Sequence, residues 1–390
     1  MSRHPPIPAG KAFAWRLAIF YAALFTALGV QLPFLPVWLA ARGLDAGEIG
    51  IALALPMIVR VVAIPLATRI ADRRDAIRGA LAVAATAAVA GYSAAGLVTG
   101  VAAILAMLTL AACFYTPLMP LADAYALRGL AERGVSYGPV RLWGSAAFIA
   151  GSFGAGLLLE WIAPGNLIWL LVAAMLPAAF AACALGPLSA GAAAKPRRAA
   201  SAKSLLRNPA FLLVALAASL IQASHAVYYG FSALDWQADG LDSTAIGALW
   251  GLGVIAEIVL FAASGRLRLG PIALLVLGGA GGLVRWGAMA FDPAPVWLPP
   301  LQCLHALSFG ATHLGAMAFM LRAAPAEIGA TAQGYLAVAQ GLVMAAAMGL
   351  AGLLYARYGN LAYAAMALMA AAGAASALAA LRLAKPAIET

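Results

Sequence analysis

The dominant feature of the sequence is a succession of apolar runs, each long enough to cross a lipid bilayer. A spanning helix needs about 20 consecutive apolar residues, and runs of that length fill most of the 390 residues. Only 10% of the residues are charged, whereas a typical soluble domain has about 25%. The sequence therefore predicts an all-α integral membrane protein, with no room between the runs for a large soluble domain.

Twelve apolar segments can be marked, and short polar turns separate most neighbours. Their predicted bounds are 14–41, 48–71, 77–98, 101–128, 139–162, 165–187, 210–235, 243–265, 271–291, 297–322, 329–356 and 360–383. One connection differs, because Ser189–Asn208 is basic and rich in alanine and serine. Two repeats of six helices around a midplane site are typical of transporters. We therefore predict an N-terminal bundle at 1–188, a cytoplasmic linker at 189–209 and a C-terminal bundle at 210–390.

The basic residues predict the orientation of the chain. If the N-terminus is inside, most of the 24 lysines and arginines fall on the inner side, and the outer loops hold only Arg42 and Arg357. Such a bias marks the cytoplasmic side, so we expect a multi-pass inner-membrane protein with both termini cytoplasmic. It also accounts for the net charge of +10 without nucleic acid. Cys113, Cys183 and Cys303 show no metal or disulfide spacing, and we expect no metal and no cofactor.

Two charged residues at neighbouring segments stand out. Asp123 lies inside an otherwise apolar segment, and Arg141 opens the next one. A carboxylate at bilayer depth costs about 2.5–3.5 kcal/mol on insertion scales and usually has a partner. Because arginine can bind a carboxylate through two parallel hydrogen bonds, this pair can close on itself or open to hold an acidic ligand. The structural alternative is a pair that only locks two helices together.

Other polar residues in the spans are further candidates for substrate binding. His225, Tyr228 and Tyr229 lie at i, i+3 and i+4 and so share one helical face. They can bind an aromatic or acidic ligand, or they can form a packed core cluster. Gln31 is a mid-span polar group with the same ambiguity. Arg60 is isolated in an apolar stretch and needs a carboxylate or an anionic ligand.

Glu257 is a candidate for carrying a proton. It lies in the middle of an apolar segment with no acid nearby in the sequence. The neutral form of a carboxyl group is favoured in a low-dielectric environment, and a proton symporter requires a carboxyl that can load and unload a proton. The alternative is a permanently neutral, hydrogen-bonded glutamic acid.

Several local strings carry a family resemblance that covers nearly the whole chain. They are LPFLPVWLAARGL at Leu32–Leu44, PLADAYAL at Pro120–Leu127, YGPVRLWGS at Tyr137–Ser145, SHAVYYGFSALDW at Ser224–Trp236 and LHALSFGATHLGAMAF at Leu304–Phe319. With them the chain resembles the major facilitator superfamily, and within it the phenylpropionate permease branch, which is related to the proton-coupled lactose permease. The resemblance implies the major facilitator fold, with twelve transmembrane helices in two six-helix bundles.

The resemblance also implies roles for individual residues in the first half. Asp123 and Arg141 look like the helix-four acid and helix-five arginine that hold substrate in the lactose permease. Phe148 stands where that permease has a substrate-stacking tryptophan. This departure argues against a sugar as the ligand.

In the second half, Arg285 and His305 look like the arginine and histidine of the lactose permease's proton-coupling group. The glutamate of that group falls on Ser308 here. If this protein uses protons, the carrier must be another carboxyl, and Glu257 is favoured over Asp123. His313 follows His305 by slightly more than two helical turns and is a weaker candidate for the same group.

These observations predict a secondary active transporter that takes up a small organic acid, with an aromatic acid as one option, together with protons by alternating access. The inward direction rests on the resemblance. A proton-driven exporter or drug antiporter and a sugar or nucleoside proton symporter remain alternatives. A membrane enzyme would need a nucleophile–base or metal cluster, and a sensor or scaffold would be expected to add a soluble output domain. The expected partners are a small-molecule substrate, protons and the lipid bilayer, and we expect a monomer.

Overall fold

A computed structural model describes residues 9–188, 202–323 and 329–383, and in these ranges the chain is helical without a β-strand. The all-α prediction is confirmed. Eleven of the described segments are long and apolar enough to cross a membrane. The last of them, Thr331–Leu383, has 53 residues and contains two helices, so the count of twelve spans stays a prediction. Residues 189–201 of the predicted linker lie outside the described residues.

The helix surfaces are apolar, as contact with lipid requires. Many large hydrophobic side chains are exposed, among them Val62 at 69%, Phe180 at 73% and Leu368 at 70%. Soluble proteins rarely expose extensive contiguous apolar surface, whereas a surface in hydrocarbon has no such restriction. The exposed residues therefore agree with a membrane location.

The chain divides into two compact units, Met1–Gly43 with Val59–Ala193 and Leu44–Ile58 with Ala194–Thr390. The predicted bundle boundaries at 1–188, 189–209 and 210–390 stay a prediction. The first seven helices are α1 (Ala9–Ala41), α2 (Ala46–Arg73), α3 (Ile77–Leu97), α4 (Val101–Tyr115), α5 (Leu118–Ala131), α6 (Tyr137–Leu159) and α7 (Leu167–Cys183). All lie in the first unit except the start of α2, which is grouped with the second.

The second unit holds the remaining helices. They are α8 (Pro209–Ala223), α9 (Ala226–Ala238), α10 (Ser243–Ala263), α11 (Pro271–Met289), α12 (Leu298–Cys303), α13 (Thr312–Ala323), α14 (Gly329–Tyr358) and α15 (Ala362–Leu383). Within this unit α15 packs against α8 and α11. A π-helical turn, Ala306–Ala311, joins α12 to α13.

Three segments predicted as continuous are interrupted in the structure. Pro117 separates α4 from α5, because proline has no N–H to donate within a helix. Ser224 and His225 separate α8 from α9. The third interruption is the π-helical turn, and such turns occur frequently at functional sites.

The first unit is held together by a close crossing of α1 and α6, which pack extensively against each other. Gly29 of α1 faces the backbone of Phe148 and Ser152, and Gly151 of α6 faces the backbone of Thr26. A Cβ added at Gly29 would lie 2.8 Å from the Ser152 nitrogen. Small residues of this kind let membrane helices approach closely, so the crossing depends on glycine at both positions.

We expect Gly29→Ala to destabilise the protein, because the added methyl group meets helix backbone that cannot move aside. Overpacking of this kind typically costs about 1–3 kcal/mol, and thermal unfolding of the purified protein in detergent measures it. Gly154→Ala on α6 is the matched control, because a Cβ added there would meet no neighbouring atom within 4 Å. An unfolding temperature for Gly29→Ala equal to that of the control would contradict the predicted clash.

Candidate functional site

Asp123 of α5 is hydrogen-bonded by two tyrosines from other helices of the first unit. Tyr21 of α1 donates its hydroxyl to Asp123 Oδ1 at 2.5 Å, and Tyr137 at the start of α6 donates to the same oxygen at 2.8 Å. Tyr21 is fully buried, so α1 fixes one of the two donors rigidly. Hydrogen bonds from hydroxyl groups to a carboxylate are short and strong. The partners of this membrane acid are thus neutral phenols.

Arg141 lies one helical turn after Tyr137, against aromatic rings. Its guanidinium carbon is 4.0 Å from the centre of the Phe25 ring and 5.5 Å from that of Tyr21. A cation over an aromatic face is attracted by the ring quadrupole. In the part of the chain that the structure describes, Arg141 forms no ion pair with Asp123. The two predicted partners therefore share Tyr21 as a neighbour without pairing with each other.

The other first-unit candidates lie elsewhere. Phe148 is buried on α6 with 6% of its surface exposed. Gln31 donates to the hydroxyl of Tyr92 on α3 at 2.8 Å. Among the described contacts, neither residue has a hydrogen bond or ring contact to Asp123 or Arg141. Arg60 is half-buried on α2.

The second unit contains a buried group of polar side chains around Arg285. This arginine of α11 is fully buried and donates to Gln302 Oε1 at 2.6 Å and to His305 Nδ1 at 3.1 Å. Its guanidinium carbon also lies 4.6 Å from the Tyr228 ring centre and 4.4 Å from that of Trp286. Like Arg141, Arg285 is surrounded by neutral groups and aromatic faces.

The contact with Arg285 determines how His305 is protonated. A guanidinium can only donate hydrogen bonds, so His305 Nδ1 must present a lone pair and the ring proton lies on Nε2. His305 Nε2 is 3.8 Å from Glu257 Oε2, which is longer than a hydrogen bond. The structure thus brings three residues predicted for proton coupling, Glu257, Arg285 and His305, into one group.

His225 occupies the break between α8 and α9 and joins the same region. Its Nδ1 is 3.0 Å from the Gln222 carbonyl oxygen, and its Nε2 is 3.1 Å from Ser308 Oγ. Because a carbonyl only accepts, Nδ1 carries the proton and the Ser308 hydroxyl donates to Nε2. The ring of His225 stacks on Tyr229 and lies edge-on to His305. The Ser308 side chain therefore fixes the orientation of the His225 ring.

The π-helical turn places several of these groups. The Phe309 carbonyl in this turn accepts the backbone N–H of Thr312 and also Gln222 Nε2, which lies 3.3 Å away. Phe309 stacks on His305 with ring centres 5.1 Å apart. His313 is exposed, and its ring stacks on the ring of Phe309 with the two ring centres 6.5 Å apart. The proton-coupling role predicted for His313 stays a prediction.

Sequence reasoning missed several residues of these groups. Tyr21, Phe25 and Gln302 gave no local signal, because they reach the charged residues from distant parts of the chain. Tyr137 could have been found, since it lies at i–4 from Arg141 on one helix face. Trp286 follows Arg285 directly, but its contact with the guanidinium depends on the side-chain geometry.

Asp235 is a further missed residue and carried a clear signal, an acid inside an apolar segment. It is 8% exposed and accepts from the Tyr355 hydroxyl at 3.1 Å. The ring of Phe231 stacks on that of Tyr355 with centres 4.4 Å apart, which fixes the donor. Just beyond the end of α9, partial burial and the charge of Asp292 raise the pKa of Asp239. This end of the second unit is therefore acidic.

No cluster of three or more histidine, cysteine or acidic side chains within the described ranges could hold a metal ion. The candidate groups are instead built from cations, carboxyls and aromatic rings. Such groups can bind organic ions and exchange protons.

Comparison with known proteins agrees with this picture. Residues 14–365 match the model of the MFS_1 like family. The chain is 34% identical over 353 residues to the "Probable 3-phenylpropionic acid transporter" of Escherichia coli (strain K12), covering 88% of this chain and 92% of the relative. It is 30% identical over 348 residues to the maltose permease of Geobacillus stearothermophilus, covering 85% and 87%.

Solved structures show the same fold. The nucleoside transporter NupG superposes with a TM-score of 0.82 at 18% identity, covering 96% of this chain and all of that one. The D-xylose-proton symporter superposes with a TM-score of 0.72 at 14% identity, covering 97% and 99%. The chain belongs to the MFS_1 like family of the major facilitator superfamily and is a multi-pass inner-membrane transporter, not an enzyme.

Proposed function

We propose that this transporter takes up a small organic acid, preferably aromatic, together with protons by alternating access. Arg141 binds the substrate carboxylate, with Asp123 in the same group, and Glu257 carries the proton. Arg60, Gln31, Phe148, His225, Tyr228 and Tyr229 are further proposed substrate contacts. Arg285, His305 and His313 are proposed to act in proton coupling. We also propose that the protein is a monomer and that both termini lie in the cytoplasm.

The observation that carries the proposal is the environment of Arg141. Its guanidinium rests on Phe25 and Tyr21 and has no carboxylate partner among the described residues. A cation inside a membrane protein needs an anion or another compensating group, and arginine matches the planar carboxylate with two parallel hydrogen bonds. The aromatic faces beside it stabilise the cation without neutralising its charge.

The proton-coupling part rests on the group around Arg285. Glu257 faces the protonated nitrogen of His305 at 3.8 Å, and His305 is held by Arg285. Loss of the proton from Glu257 would create a negative charge that attracts His305 Nε2–H and, beyond it, the guanidinium. Protonation of this carboxyl therefore changes the forces on α11 and on the π-helical turn.

The relatives support an organic substrate and leave its class open to test. One full-length relative is named as a phenylpropionic acid transporter and another as a maltose permease. One of the structural neighbours is a proton symporter by its description. An acid, a sugar and a nucleoside are therefore the three substrate classes that an experiment should compare.

We expect 3-phenylpropionate to stabilise the purified protein in a thermal-shift assay, and maltose and uridine to have no effect, because a ligand that binds the folded state raises its apparent stability. In Arg141→Lys the dissociation constant for the acid, measured by calorimetry, should rise about tenfold or more. Lysine lacks the planar fork, and about 1.4 kcal/mol of lost binding energy corresponds to a factor of ten.

Arg69→Lys is the matched control, because Arg69 is an exposed arginine of α2 in the same unit. Its affinity should equal that of the wild type. Stabilisation by maltose or uridine alone, or an unchanged affinity in Arg141→Lys, would overturn the proposed acid site.

Glu257→Gln should abolish accumulation of the acid driven by a pH gradient in proteoliposomes, because glutamine cannot release a proton. Exchange of internal for external substrate should persist, since it needs no net proton movement. Asp235→Asn is the matched control, because it neutralises another buried carboxyl of the second unit and keeps an oxygen that can accept from Tyr355.

Accumulation that persists in Glu257→Gln and disappears in Asp235→Asn would move the proton carrier to Asp235. Gradient-driven uptake of the wild type that survives a protonophore would exclude proton coupling altogether. Efflux favoured over uptake under the same gradient would point to an exporter.

A further inference from the structure

The two tyrosines bound to Asp123 have a consequence for Arg141. Both hydroxyls donate to the same oxygen, Oδ1, at 2.5 and 2.8 Å. They come from different helices, α1 and α6, so together they fix the carboxyl group from two directions. The carboxyl group of Asp123 is therefore held by two neutral hydroxyl groups, one from α1 and one from α6.

Arg141 lies beside Tyr21, one of the two donors to Asp123. It lies one turn after Tyr137 on α6, and its guanidinium carbon is 5.5 Å from the ring centre of Tyr21. Opposite charges attract far more strongly in a low dielectric than in water. Yet among the described residues the arginine contacts rings and not Asp123. Asp123 Oδ1 instead accepts the two tyrosine hydroxyls.

We infer that Tyr21 and Tyr137 are positioning residues that hold Asp123 away from Arg141 and so keep the guanidinium available to a substrate carboxylate. The inference rests on the proposed function of Arg141 as the substrate's anchor. Without the hydroxyls, Asp123 would pair with Arg141, and an incoming acid would have to displace an internal carboxylate. The tyrosines thereby favour monocarboxylates over neutral ligands at this site.

The inference predicts a loss of affinity that a second change restores. In Tyr21→Phe/Tyr137→Phe the dissociation constant for 3-phenylpropionate should rise about tenfold, since hydrogen bonds to charged groups contribute about 1.5–3 kcal/mol and 1.4 kcal/mol is a factor of ten. Adding Asp123→Asn should lower the constant again and recover most of this loss. The amide keeps the size of Asp123 and cannot form an ion pair with Arg141.

Calorimetry on the purified full-length protein measures all variants. Tyr125→Phe is the matched control, because Tyr125 is a buried tyrosine of α5 whose hydroxyl donates to the Gly186 carbonyl. It should bind the acid as the wild type does. If the double variant does not fold, Tyr137→Phe alone, at a half-buried position, should weaken binding about threefold, with the same restoration by Asp123→Asn.

Two results would overturn the inference. One is wild-type affinity in the double variant. The other is weak binding that Asp123→Asn fails to restore, which would mean that the hydroxyls contact the substrate or only pack. Arg141→Lys in the same assay distinguishes a failure of the proposed substrate-binding role of Arg141 from a failure of the positioning role of the two tyrosines. If that variant binds normally, the proposed function fails, whereas if it binds weakly and the tyrosine variants bind normally, only the positioning role fails.

Discussion

The structure depends on how charged side chains are stabilised inside the membrane-spanning helices, where little water is present. Across the described residues, the membrane-embedded charges are stabilised mainly by aromatic rings and neutral hydrogen-bonding groups. Arg141 lies on Phe25 and Tyr21, and Arg285 lies on Tyr228 and Trp286. A closed pair of opposite charges neutralises itself and offers little to a ligand. Arg141 has no such partner among the described residues, whereas Arg285 donates to Gln302 and His305.

Helix packing makes these arrangements possible. In the first unit, glycines let α1 and α6 approach to backbone contact, and this brings Tyr21, Phe25 and Arg141 together from two helices. In the second unit, the π-helical turn and the break before α9 place His305 and His225 with ring centres 5.4 Å apart. Irregular backbone in a membrane is tolerated where its polar groups find partners, and Gln222 supplies one for the Phe309 carbonyl.

The sequence allowed the all-helical membrane class to be predicted, because apolar run length is a direct physical requirement of the bilayer. Glu257, Arg285 and His305 were each singled out from the resemblance or from the rarity of membrane charges, and the structure places them near one another, while their role in proton coupling stays a prediction. Of the two tyrosine partners of Asp123, Tyr21 was not predictable, because it lies 102 positions away in the chain and tyrosine is common in membrane helices. The π-helical turn was equally hidden, since a one-residue change of hydrogen-bond register leaves the hydrophobic pattern intact. Asp235 was overlooked although its signal matched that of Asp123.

The contact between α1 and α6 also bears on the entropy of ligand binding. An arginine side chain has about 2 kcal/mol of rotamer entropy, and a binding site usually loses part of that freedom when the ligand arrives. Arg141 is already confined by Phe25 and Tyr21, and the ring of Phe25 is buried on α1 with 8% of its surface exposed. These ring contacts therefore restrict the guanidinium before any ligand binds. If Arg141 binds the substrate as proposed, this confinement lowers the entropy cost of ordering its side chain when the ligand binds.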